Sequence, residues 1–253
     1  MPPVVTLLTD FGTADSYVAE MKAALLGIVP HATLVDVTHE VAPGDVRAAL
    51  YLLDRSWRHF APGTVHLTVV DPGVGTARRA LAAAARQHFF VVPDNGLLTP
   101  LLEGARVVEL PVPASASATF HGRDVLAPAA GRLANGEPLA ALGRPVEDAH
   151  RIPLPAPRRD GEVVLGEVIY VDRFGTLVTN IPADTLPPVR SVLAAGHGAA
   201  WGRTFGDVPA GALVAYPGSG GTVEVALRNG SASKAVGMGV GAEIRVLTVR
   251  GKK

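Results

Sequence analysis

The 253-residue sequence contains no cysteine, which removes disulfides, thiolate nucleophiles and cysteine-ligated metals from consideration. Its formal charge is zero, from 23 basic and 23 acidic residues, with no basic block before Arg250-Gly251-Lys252-Lys253. Neither nucleic acid nor an anionic membrane is therefore expected as the main partner. No apolar run approaches a membrane-spanning length, and no basic leader with a cleavage site opens the chain. A cytoplasmic location is the expectation. No Gly-Lys-Ser/Thr occurs, and Gly73-Val74-Gly75 lacks the third glycine and the helix start of a dinucleotide fingerprint. Gly237, Gly239 and Gly241 lie among β-type residues and suit a turn or bulge. The eight histidines are scattered without ligand spacing on a helix, so no metal site is expected. His59, His66, His88 and His150 read as surface or turn residues.

What is present is an ordinary globular composition, 48% apolar and 18% charged, in a chain long enough for one large domain or two modest ones. Val4 to Thr9 reads as a strand stopping at Asp10-Phe11-Gly12, and Asp15 as the cap of a helix running to Ile28. Thr33 to Val37 is a second strand, and Asp45 opens a second helix. Val65 to Val70 is a β-branched, apolar strand, followed by Asp71-Pro72-Gly73-Val74-Gly75. Leu81 to Ala85 and Phe89 to Val92 form a strand pair, and Arg123 to Leu133 a helix. Strands alternating with helices indicate an α/β layered domain over residues 1–151. Residues 152–161, Ile152-Pro153-Leu154-Pro155-Ala156-Pro157-Arg158-Arg159-Asp160-Gly161, form a proline-rich linker. Over 162–253, short β-type runs between Gly-rich turns indicate an all-β, barrel-like second domain.

Asp71 ends the central strand, where open α/β sheets place their ligand crevices, and Arg78 follows one loop later. Carboxylate and guanidinium can converge there on a small polar species; the alternative is an ion pair that only closes a turn. Asp10-Phe11-Gly12 spells the kinase metal-binding triplet, but the few residues before it cannot hold the rest of a kinase. A carboxylate at that strand end suits a ribose diol, or simply a turn. His121 stands in a loop before a helix start, either functional or structural. Trp57 and Trp201 read as packing residues, and Phe174 as packing or stacking.

Six segments in order carry a resemblance: Thr9-Asp10-Phe11-Gly12-Thr13, Asp36-Val37-Thr38-His39, Val70-Asp71-Pro72-Gly73-Val74-Gly75-Thr76, Pro93-Asp94-Asn95-Gly96-Leu97-Leu98-Thr99, Thr119-Phe120-His121-Gly122-Arg123-Asp124, and Asp172-Arg173-Phe174-Gly175 with Thr179-Asn180-Ile181. Over nearly its whole length the chain resembles the S-adenosyl-L-methionine (SAM) hydroxide adenosyltransferases, hydrolases that form adenosine from SAM and are related to the SAM-dependent fluorinase and chlorinase. The resemblance implies an α/β domain followed by a β-barrel, a homotrimer with sites between subunits, SAM as substrate, and no cofactor. It implies that Asp71, Arg78 and His121 handle a water nucleophile. Asp10 would grip the ribose hydroxyls, Phe11 would be a further substrate-binding residue, and Asp172, Phe174, Thr176, Ser219 and Glu224 would line the adenine and methionine ends. Thr176 stands where the family commonly has Asn, and a hydroxyl offers one donor and a shorter reach than an amide. The halogenases carry Tyr, Thr and Ser where this chain has Asp71, Val74 and Gly122, and a carboxylate would repel a halide.

Direct displacement at the ribose C5′ follows as the expected reaction, with a SAM-dependent halogenase, a non-catalytic SAM sensor and a nucleoside hydrolase as rival readings. Either Asp71 or His121 could take the proton. The expected lowering of the Asp71 pKa by Arg78 favours His121. Arg79 competes with Arg78 for the cationic role.

Overall fold

The structure, a computed structural model, describes residues 1–249; the basic segment Arg250–Lys253 lies outside them. The chain divides into two compact units, Met1–Ile152 and Pro153 onward.

The first unit is built on a seven-stranded mixed sheet in the order β2-β1-β3-β5-β4-β6-β7. Its strands are β1 (Val4–Thr9), β2 (Thr33–Thr38), β3 (Val65–Val69), β4 (Ala80–Ala85), β5 (His88–Pro93), β6 (Arg106–Leu110) and β7 (Arg144–Pro145). β2, β1, β3 and β5 run parallel, and β4 turns the sheet antiparallel toward the far edge. Every residue of β3 is buried, as a central strand covered on both faces requires. Alternation along β1 sends Val5 and Leu7 to one core and Leu8 to the other. The first core takes Met21 and Leu25 of α1 (Tyr17–Leu26) with Ala130 and Leu133 of α3 (Ala127–Ala134). The second takes Ala49, Leu50, Leu53 and Trp57 of α2 (Val46–Trp57).

Asp45 caps α2 as its sequence position requires, accepting from Ala48 N at 2.9 Å. Asp15 does not cap α1. Ser16 occupies the cap position without a capping bond, because its hydroxyl turns to Glu20 at 2.7 Å. The helix expected from Arg123 opens as a π-helical turn, Gly122–Leu126, before α3. The reading of His66 and His88 as surface or turn residues is overturned: both are buried strand residues. Neighbouring strands satisfy them, with Thr6 Oγ1 at 2.8 Å from His66 Nδ1 and His66 Nε2 at 3.1 Å from His88 Nδ1.

The second unit is a closed barrel of seven strands. They are β9 (Val163–Val171), β10 (Leu177–Pro182), β11 (Val189–Ala194), β12 (His197–Trp201), β13 (Leu213–Pro217), β14 (Thr222–Leu227) and β15 (Glu243–Thr248). Pairing of β10 with β9 closes it, and β8 (Arg158–Asp160) adds an edge to β9. The short helix α4 (Ala232–Val236) and the side chains of Val168, Leu177, Val192, Val225 and Ile244 fill and cap the core.

Candidate active site

In the first unit, β2 and β3 flank β1 on opposite sides, so the strand order reverses between β1 and β3. Ligands of open α/β sheets bind outside the carboxyl ends of strands at such a switch point. Thr9 pairs with Val69 in register, so Asp10 and Asp71 leave adjacent strand ends there.

Asp71 and Arg78 form a buried pair, 4% and 7% exposed at their side chains. Arg78 Nε donates to Asp71 Oδ1 at 3.0 Å, and Nη2 donates to Oδ2. Nη1 donates to the Arg79 carbonyl at 3.0 Å. Nη2 also stands 3.3 Å from Nδ1 of His121, itself 6% exposed. The loop that makes this approach possible needs Gly75: its φ is +76°, and a Cβ would sit 2.5 Å from the Ala118 carbonyl. Loop 72–77 thereby lies against the segment that delivers His121.

Burial raises the Asp71 carboxyl above its ordinary value, and the opposing effects of Arg78, the Gly73 N–H and His121 do not reverse it. The expectation that Arg78 leaves this carboxyl lowered is therefore corrected: desolvation outweighs the cation. Arg79 is elsewhere, donating to Asp94 Oδ2 at 2.7 Å and Asp148 Oδ1 at 2.6 Å.

Asp10 Oδ2 accepts from Gly44 N at 2.8 Å. Phe11 packs edge-to-face with Tyr17 and Phe120, the residue before His121. Gly122 is walled in: a Cβ there would meet Val69 Cγ1 at 3.1 Å and Phe11 Cζ at 3.3 Å.

In the barrel unit, Asp172 Oδ1 accepts from Phe174 N at 2.9 Å and Thr176 N at 2.8 Å, an Asx-type turn that leaves the Phe174 ring 78% exposed. Thr176 is buried, and its side chain hydrogen-bonds Tyr216. Tyr216 pairs across the ladder with Glu224. Burial, then the Glu224 charge, pushes its phenol well up. Ser219 lies in the turn between β13 and β14, three residues after Tyr216. Tyr216 was not singled out from the sequence; only the β13–β14 register reveals it. Among the described residues no group of three or more His, Cys, Asp or Glu could hold a metal ion, and no helix is long and apolar enough to cross a membrane.

A mixed α/β unit with a buried carboxylate–guanidinium–imidazole set at its switch point, followed by a closed β-barrel, defines a two-unit class of protein with a buried polar cluster. The profile of the SAM hydroxide adenosyltransferase N-terminal domain matches residues 5–143, and that of the C-terminal domain matches 166–245. The chain belongs to this family. A Thermus thermophilus protein named (R)-S-adenosyl-L-methionine hydrolase is 44% identical over 259 residues, covering 96% of this chain and 99% of that protein. An Actinoplanes fluorinase is 32% identical over 214 residues, covering 71% of this chain and 72% of the fluorinase. The crystal structure of an uncharacterized conserved protein from Thermotoga maritima superposes with a TM-score of 0.90 at 38% identity, covering 96% of this chain and 99% of that one.

Proposed function

We propose that the protein hydrolyses SAM to adenosine and L-methionine by attack of water at the ribose C5′. The observation that carries this reading is the buried contact of Asp71 and His121 with Arg78 at the switch point. The C5′–O bond forms as the C5′–S bond breaks, and the electron pair leaves with sulfur as the methionine thioether. The sulfonium is already a good leaving group, so the reaction requires neither a metal nor a covalent enzyme intermediate. Charge is diminished as hydroxide meets sulfonium, which a water-poor site favours.

Asp71 takes the water proton in this reading. Two features support it over His121. Burial raises its carboxyl, making it a better acceptor than an ordinary aspartate. Arg78 has only donors, so His121 Nδ1 must accept from it, which leaves the ring proton on Nε2 to orient the attacking oxygen. Asp10 holds the ribose hydroxyls, backed by Phe11. Asp172, Phe174, Thr176, Ser219 and Glu224 serve the adenine and methionine ends. Because Thr176 already engages Tyr216, we assign adenine recognition there to main-chain groups.

Halide chemistry is disfavoured on two counts. The Asp71 carboxylate repels an anion, and the contacts around Gly122 leave little room for a serine. A homotrimer with sites shared between subunits, and a cytoplasmic location, belong to the same proposal; a sedimentation mass other than that of three chains would set the trimer aside. Separation of products after incubation with SAM tests the reaction. Adenosine with methionine supports it, adenine would indicate glycosidic cleavage, and intact SAM a sensor.

A further inference from the structure

The turn after β5, Pro93-Asp94-Asn95-Gly96, has no part in the chemistry assigned above, yet it reaches both ends of the Asp71–Arg78 pair. Asn95 Nδ2 donates at 2.8 Å to the carbonyl of Val70, the residue before Asp71. The Asp94 N–H donates at 2.9 Å to the Arg79 carbonyl, which also accepts Arg78 Nη1 at 3.0 Å. The buried Asp94 carboxylate grips the Arg79 guanidinium through Oδ2 and accepts from His150 N through Oδ1 at 2.7 Å. Asp148 holds the other side of that guanidinium. Arg79 is thus pinned through main chain and side chain, and with it the acceptor that aims Arg78.

Asn95 has a feature that packing does not explain. Its Oδ1 is buried with no hydrogen-bond partner among the described residues. An apolar residue of similar volume would fill the same space but would offer no donor. What only the amide supplies is its N–H on the Val70 carbonyl.

We propose that Asn95 and Asp94 are positioning residues for the reaction. Asn95 fixes the main chain that delivers Asp71, and Asp94, acting through Arg79, fixes the carbonyl that orients Arg78. Neither touches substrate. The inference rests on the role proposed above for Asp71 and Arg78. Misplacing a reacting group by about 1 Å costs on the order of 10²-fold in rate.

The test is steady-state kinetics with SAM for Asn95→Ala, Asn95→Asp and Asp71→Ala, each run well below its own measured melting temperature. Asn95→Ala should lower kcat by roughly 10- to 100-fold. KM should stay within about twofold, because ribose binding is assigned to Asp10 on another strand. Asn95→Asp sets a carboxylate against a carbonyl at neutral pH. On acidification the introduced carboxyl gains a proton to donate, so its activity relative to the parent should rise while that of Asn95→Ala stays flat. Asp94→Ala, Arg79→Met and the double variant should lose about the same activity, as parts of one device. Unchanged kcat in the Asn95 variants with Asp71→Ala inactive overturns the positioning role and leaves the hydrolase reading standing. Full turnover by Asp71→Ala overturns both. Additive losses at Asp94 and Arg79 overturn Asp94's share. If Asn95→Ala fails to fold, the near-isosteric Asn95→Asp decides through its pH ratio, and a flat ratio is contrary.

Discussion

Arg78 Nη2 stands 3.3 Å from His121 Nδ1, and a guanidinium has no lone pair to offer. The imidazole must therefore accept at Nδ1 and carry its proton on Nε2. In the proposed reaction His121 then donates to the attacking water, and Asp71 takes the proton.

Histidine variants separate the two roles. His121→Gln keeps an N–H near the Nε2 position and should retain turnover within about tenfold, whereas His121→Ala leaves the attacking water unoriented and should lose on the order of 10²-fold. Equal, severe loss in both would return the base role to His121. The kcat profile should carry an acid limb from Asp71 with a midpoint above the ordinary 3.8, since burial raises this carboxyl. Activity needs the ionised form, so it falls as pH drops through that raised value. A limb at or below the ordinary value would contradict the assignment.

Asp71→Ala and Asp10→Ala should divide kcat from KM. The first removes the proposed proton acceptor and should lower kcat with little change in SAM affinity. The second removes the group proposed to grip ribose in ground and transition states alike, and should raise KM. Isothermal titration with SAM checks the affinities independently.

At Gly122, packing sets the outcome. Gly122→Ser presses its Cβ on Val69 and Phe11, and overpacking of this kind costs about 1–3 kcal/mol. Thermal melting should show the loss, and the variant should form no 5′-halo-adenosine in chloride or fluoride because Asp71 remains. An unchanged melting temperature would show that the pocket yields easily.

Much of this was legible in the sequence, and the exceptions have physical causes. The strand-end position of Asp71 is readable because β3 ends abruptly in an acid followed by glycines, and the capping by Asp45 because it is local. Choosing Arg78 over Arg79 needed the family motif, since adjacent arginines carry no local signal of which way each turns. His66 and His88 looked like surface residues because their partners, Thr6 and each other, lie on neighbouring strands far along the chain. Tyr216 was hidden for the same reason: its partner Glu224 is fixed by cross-strand register. The Asp71 pKa runs opposite to the sequence expectation because Arg78 is visible in sequence, whereas the depth of burial is not.

The buried histidines carry a pH dependence of stability. Desolvation, with the neighbouring His88, holds His66 down to about 3 from 6.5. A group depressed in the folded state binds its proton more readily when unfolded. Stability is therefore fully present above about pH 6.5 and lost as pH falls toward 3, by about 1.4 kcal/mol per unit. His66→Gln, though less stable at pH 7.5, should lose less melting temperature between pH 7.5 and 4.5 than the parent. Parallel losses in the two proteins would exclude His66 as the source.

The most direct measurement is the fate of oxygen during turnover of SAM in oxygen-18 water containing chloride and fluoride. The expected products are methionine and adenosine labelled at the 5′ oxygen, with no halogenated nucleoside. Label absent from the 5′ oxygen, or 5′-halo-adenosine as a substantial product, would contradict attack by Asp71-activated water at C5′.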